Sequence, residues 1–392
     1  MFIELHMLQN FAPSCLNLDD TNSPKDCEFG GTRRARISSQ CIKRAIRTHF
    51  KKQNLLPGDQ LAVRTLRLLD ELTGRLVAAG KDREQARRVA ETAIKGWGLG
   101  LKDDGKTKYL IFIGDAAVSS LAQSCVNHWD ILAQVAPGEG GEAGKEPSDK
   151  SKKSTKKADK EAIHKDFKKA MEAILDDDNA ADLGLFGRML ADLPDKNIDA
   201  ACQVAHALST NQVSVEFDFF TAVDDLSPKE ETGAGMMGTV EFNSACFYRY
   251  ANIDFSQLTG NLGNDEELAR KAVEAFLRAA VAAIPTGKQN SMAAQNPPSL
   301  VFAVVRDKGL WSLANAFVNP IRPDGKNGLV EKSIAALEDY WAKLAAAYGE
   351  EGIQTKASLA VDGELRTLKD CQVSNLNTLI QTLMAALPGG RP

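Results

Sequence analysis

Eight cations fall between positions 33 and 52, and no acid falls among them: Arg33, Arg34, Arg36, Lys43, Arg44, Arg47, Lys51 and Lys52. Side chains of this type at this density bind anions. The 392-residue chain has a net charge of −4, so a window carrying +8 leaves −12 on everything else. An acidic protein that gathers positive charge in one place is suited to meeting a polyanion there. The glycines and small hydroxyls of GGTRRARISSQ, positions 30–40, let a phosphate approach the backbone closely. The competing reading is a solvated helix face. Such faces usually interleave acids and bases at i,i+4, and this one does not.

Other groups with chemical potential are weaker. Asp19, Asp20 and Asp26 lie just upstream. Paired carboxylates can hold Mg²⁺ or act as a base. With no third carboxylate or histidine at a matching spacing, they read better as turn formers or as partners of the arginines. Seven cysteines and five histidines are scattered, with no CxxC, HExxH or zinc-finger spacing. They point to free thiols, no metal and no cofactor. GAGMMG at 233–238 matches a dinucleotide fingerprint in letters only, because strand-like TVEF follows where a helix is required. No phosphate-binding P-loop occurs. Phe219, Phe220, Val223, Met236 and Met237 belong to a stretch rich in Gly and Asp. They read either as a satellite core or as an apolar wedge against bases, and composition leaves both open.

The elements that must position these groups follow from periodicity. Residues 1–8 alternate like a strand, with Ile3, Leu5 and Met7 on one face. Residues 9–32 are rich in Pro, Asn, Asp, Ser and Gly and read as a long loop. Ser38 or Ser39 is suited to cap a helix. On that helix Cys41, Ile42, Ala45, Ile46, His49 and Phe50 form one face, and Gln40, Lys43, Arg44, Arg47 and Lys51 another. The cationic stripe thus begins at a helix N-terminus, where the dipole also favours phosphate. Residues 58–135 and 161–190 read as helical, with a short strand or helix entry within 101–114. Between them, segment 137–161 holds seven lysines and six acids with almost nothing apolar, and is expected to be a mobile insertion. Alternation returns at 212–226 and 231–255, followed by a helix at 265–284, a strand at SLVFAVVRD, and helices at VEKSIAALEDYWAKLAAAY and NLNTLIQTLMAAL. The order is α+β rather than a βαβ alternation: a small antiparallel sheet with two packed helices, a helical insertion and an extended hairpin.

Hydrophobic residues make up 43% and charged residues 26% of the chain, as in ordinary soluble proteins. No apolar run reaches the roughly 18–20 residues a membrane helix needs. The N-terminus reads as a strand rather than a signal peptide, so a cytoplasmic location without membrane contact is expected.

MFIELHMLQN with APSCLNLDD, then KDCEFGGTRRARISSQCIKRAIR, and later FFTAVDDL and GTVEFNSACFYRYANI, resemble the CasC family, the backbone subunit of the type I-E CRISPR Cascade complex in the RAMP superfamily. The resemblance implies an RRM-like (ferredoxin-like) palm at 1–57, 186–210 and 242–392, a helical fingers insertion at 58–185, and a β-hairpin thumb at 211–241. It implies a non-catalytic protein that stacks in several copies along CRISPR RNA, flips bases out at intervals and presents the guide to target DNA. Its implied partners are that RNA, target DNA, copies of itself, and the large, small and guide-end-binding subunits. A separate helicase-nuclease makes the cut.

Position by position, the resemblance assigns guide-phosphate contacts to Lys25, Arg36, Ser38, Gln40, Lys43, Arg44 and Arg47, with further contacts at Lys288, Gln289 and Asn290. It places Met189 against the kinked nucleotide, and Phe219, Phe220, Val223 and Met237 beside displaced bases. Leu18 stands where arginine is expected, and Phe219 where tryptophan is expected, which keeps a stacking face but loses an N–H. The lysine-rich insertion is not a family feature. The enzymatic alternative is a RAMP-type metal-dependent ribonuclease using the loop aspartates.

Overall fold

The computed structural model of the chain describes residues 1–134, 169–222 and 236–389. Val223 and the lysine-rich segment 137–161 lie outside the described residues. By contact density the chain divides into two compact units: Met1–Leu55 with Cys202–Ser256 and Arg270–Pro392, and Leu56–Ala201 with Gln257–Ala269. Residues 186–201, grouped with the palm in the sequence reading, thus cluster with the second unit.

The first unit is built on a nine-stranded sheet, larger than the small sheet expected. Its main path runs β11 (Ile353–Ala360), β10 (Leu300–Arg306), β1 (Phe2–Ser14), β9 (Met236–Asp254), β7 (Ala207–Ser209), β3 (Thr32–Ile37) and β2 (Asp26–Phe29). Two more strands, β6 (Cys202–Val204) and β8 (Glu216–Ala222), pair with β9. All these strand pairings are antiparallel. The expected loop at 9–32 is therefore shorter than its composition indicated. β1 continues to Ser14 against β9, with a register shift between Phe11 and Ser14 that accommodates Pro13, and β2–β3 form a hairpin across Gly30 and Gly31.

β1 is buried on both faces, not one. One face carries Leu8, which joins Tyr248, Phe302 and Val304 and packs with Ile334, Leu337 and Trp341 of the helix Leu329–Tyr348. The same run of β1 buries Glu4 and His6, and each has partners. Glu4 accepts from Tyr250 Oη at 2.9 Å, from the backbone N–H of Trp311 at 2.7 Å and from Arg306 at 3.0 Å. His6 Nδ1 lies 2.9 Å from the Tyr248 hydroxyl. A buried charge such as that of Glu4 holds only when it is both paired and hydrogen-bonded.

The second unit is mainly helical. Its core joins α2 (Leu68–Ala78), α3 (Arg83–Gly96) and α4 (Asp115–Asn127) through Leu72, Leu76, Val89, Ile94, Trp97 and Leu121. The helical reading of 58–135 is corrected at β4 (Ala62–Thr65), which pairs antiparallel with β5 (Ile111–Gly114), the strand allowed for within 101–114. Periodicity misses β4 because four residues are too short to show alternation. Arg188 and Asp178 form a buried ion pair at 2.8 Å, and Asp178 also accepts the Gly114 N–H. Among the described residues, no helix is long and apolar enough to cross a membrane.

Candidate nucleic-acid interface

The helix behind the cationic stripe is α1, Ser39–Lys52. Ser38 is its N-cap and accepts from the Cys41 N–H at 3.4 Å, while its own N–H donates to Asn17 Oδ1 at 2.8 Å. The cap thereby fastens the loop after β1 to the start of the helix; such caps contribute about 1 kcal/mol. Ile42, Ile46 and Phe50 are buried, each stabilising the docked helix by about 1.5–3 kcal/mol. Burial of that stripe turns Gln40, Arg44 and Lys51 outward as exposed residues, with Lys43 and Arg47 half-buried beside them.

Three other segments deliver polar groups to this helix end. The Lys25 N–H donates to Asn17 O and the Arg36 N–H to Lys25 O, both at 2.9 Å. Lys25 and Arg36 line one cleft with Asn17, Pro24 and Asn243. Lys25 is close enough to Cys41 to act electrostatically on its thiol, as Arg44 also does. Lys288 acts in the same way on Cys15. The approach is close because Gly287 lies on the backbone: a Cβ there would sit 2.4 Å from Cys15 O and 2.5 Å from Leu16 O. Gln289 is tied into its own turn, donating to Pro285 O and Ala294 O, whereas Asn290 is exposed. The structure thus brings Lys25, Arg36, Ser38, Lys288 and the outer face of α1 into one neighbourhood of the first unit.

Two members of the sequence window do different work. Arg34 is fully buried, and its guanidinium donates to the carbonyls of Ser209, Thr210, Phe317 and Val318 and to Thr32 Oγ1. Arg33 pairs with Asp26 at 2.7 Å. The anion-binding surface is therefore smaller than the window of eight cations.

The aspartates have local tasks. Asp19 Oδ1 accepts from the N–H and hydroxyl of Thr21 and from the Ser23 N–H, which holds its carboxyl below the usual range. With Asp26 on Arg33, these two are a turn former and an arginine partner. Among the described residues no group of three or more His, Cys, Asp or Glu is placed to hold a metal.

The hairpin of β8 with β9 carries the apolar candidates. Its register pairs Phe219 with Thr239, Phe220 with Gly238 and Thr221 with Met237. Strand alternation puts Phe219 and Met237 on one face and Phe220 on the other. Phe220 lies over Gly238, where a Cβ would come within 2.5 Å of its ring. Phe219 is 64% and Met237 65% exposed, so the satellite-core reading fails. Phe217 and Met236, at 67% and 60%, extend the two faces. Phe217 was legible by alternation with Phe219.

In the second unit Met189 is 81% exposed because its neighbours are held. The Arg188 backbone exchanges hydrogen bonds with Ile198, and the Leu190 N–H donates to Asn197 Oδ1 at 2.6 Å. Residue-type reasoning also missed His206, which accepts a 2.9 Å hydrogen bond from Arg36 at Nδ1. Nothing in its sequence neighbours marks it out.

Comparison with known proteins adds the following. A family profile described as "CT1975-like protein" matches residues 3–386. A chain of a "CRISPR RNA-guided surveillance complex, pre-nicking" superposes with a TM-score of 0.82 at 30% identity, over 98% of this chain and 100% of that one. A chain of a "CRISPR RNA-guided surveillance complex" superposes with a TM-score of 0.73 at 26% identity, over 99% and 100%. No curated protein matches.

Proposed function

The chain belongs to the CT1975-like protein family, a family of CasC type, and from that premise we propose that it is a non-catalytic backbone subunit of a type I-E CRISPR surveillance complex. In this reading the first unit is an RRM-like palm, the second the fingers, and the β8–β9 hairpin the thumb. Copies stack along a CRISPR RNA. Lys25, Arg36, Ser38, Gln40, Lys43, Arg44 and Arg47 bind the phosphate backbone, with Lys288, Gln289 and Asn290 as a second contact.

The observation that carries the reading is the convergence of Lys25, Arg36 and Lys288 on the acid-free start of α1 in a chain of net charge −4. Cations and a capped helix end supply affinity without reading a base edge, as a holder of arbitrary guides requires. Phe219 and Met237 on one face of the thumb, and Phe220 on the other, displace bases by apolar contact, and Met189 supports the kinked nucleotide. The guide then pairs with target DNA, so complementarity does the reading. Other subunits of the complex flank the stack, and cleavage falls to a separate helicase-nuclease.

The test is coexpression with a CRISPR array. The wild-type chain should copurify with RNA of guide length. Lys43→Glu with Arg44→Glu should lose it while melting as before. A folded double variant with full RNA content would refute the palm assignment.

A further inference from the structure

His206 has a hydrogen-bond role that fixes its protonation. Its Nδ1 lies 2.9 Å from an Arg36 guanidinium nitrogen. Arginine only donates, so Nδ1 must accept, and the imidazole is neutral with its proton on Nε2. The ring is exposed, yet its backbone is anchored on both sides. The Ala205 N–H donates to Tyr250 O at 2.9 Å, and Ala207 is paired with Ile37 of β3. Arg36 is held from its other side, where Nε donates to Asp26 O at 3.2 Å. Asp26 commits its carboxylate to Arg33, so it leaves the Arg36 charge unneutralised. Arg36 thus reaches the cleft it shares with Lys25 with its guanidinium oriented by a neutral acceptor and a carbonyl.

We propose that His206 is a positioning residue of the phosphate site: it orients the Arg36 guanidinium beside Lys25 without cancelling its charge, so that an RNA phosphate meets a pre-set fork. A carboxylate in this place would orient Arg36 equally well but would neutralise it. A free arginine would keep its charge but lose rotamer entropy on binding. This role rests on the palm reading above.

The test uses the full-length chain, freed of nucleic acid, with a labelled single-stranded RNA followed by fluorescence anisotropy. His206→Ala and His206→Leu should weaken binding about fivefold, the scale of one net hydrogen bond at an exposed site. His206→Asn, whose Oδ1 can occupy the Nδ1 position, should stay within about twofold of wild type. In an Arg36→Ala background, His206→Ala should add nothing. His206→Asn as weak as His206→Ala, or a full additive loss on top of Arg36→Ala, would overturn the proposal. Lys43→Glu with Arg44→Glu separates the two claims. If that variant loses RNA while His206→Ala keeps full affinity, only the His206 role falls. If it keeps RNA, the palm reading falls and the His206 role with it.

Discussion

Arg33, Arg34 and Arg36 come from one six-residue strand and meet three different environments, because alternation and neighbours decide what a guanidinium does. Arg34 points into the first unit and satisfies four carbonyls there. Its replacement by methionine keeps the volume but orphans those acceptors. Arg34→Met should cost about 3 kcal/mol or more, read as a lower Tm, whereas Arg36→Ala should leave Tm within error and weaken RNA binding. His6 gives a pH prediction. Burial holds its pKa at about 3 against an ordinary 6.5. The unfolded chain therefore binds a proton that the folded chain refuses between those values, so stability is complete above about pH 6.5. It falls by about 1.4 kcal/mol per pH unit toward pH 3. Denaturant titrations from pH 7 to 4 should show this acid limb, and His6→Phe should flatten it, whatever it does to stability at pH 7. At this scale the cap at Ser38 and the outer face of α1 were legible in the sequence, because both are set within one helix. The burial of Arg34 and the pairing of His206 were not, because each depends on partners about 170 or more residues away.

The β8–β9 hairpin shows at the element scale how exposure separates folding from function. Every residue of β8 is exposed, so the hairpin draws little stability from a core. Truncating Phe219 and Phe220 to alanine should leave the Tm of the unassembled chain nearly unchanged while weakening assembly on RNA and target binding. A large fall in Tm would instead make these rings part of a folding core. Gly238 is the structural complement of Phe220, and Gly238→Val should displace that ring and mimic the loss of Phe220 alone. The longer helices and the strands β1, β9 and β10 were legible from periodicity. The strands β2, β3, β6, β7 and β11 were not. β2, β6 and β7 are only three or four residues long; β3, β6 and β7 form because partners arrive from distant sequence, and β2 forms as a hairpin on β3. The end of β1 was concealed by Asn and Pro, which sheet pairing overrode.

For the whole molecule, the charge arithmetic holds in outline but relocates. The window of eight cations loses Arg34 to the interior and Arg33 to Asp26. It gains Lys25 and Lys288 from segments outside it. Composition locates an anion site to within a helix; only the fold gathers its second and third contributors. The aspartate-based ribonuclease can be separated from the scaffold at this scale. The assembled complex, given complementary RNA and Mg²⁺, should not cut it, and cleavage abolished by Asp20→Ala would replace the scaffold reading with an enzymatic one. The central claim is that one cationic ledge of this chain holds a sugar–phosphate strand. Lysine footprinting tests it most directly, comparing acetylation rates in RNA-loaded and RNA-free protein. The account predicts strong protection of Lys25, Lys43 and Lys288 by RNA, with Lys343 and Lys369, exposed elsewhere on the first unit, reacting as before. Equal reactivity of Lys25, Lys43 and Lys288 in both preparations, with RNA demonstrably bound, would contradict it.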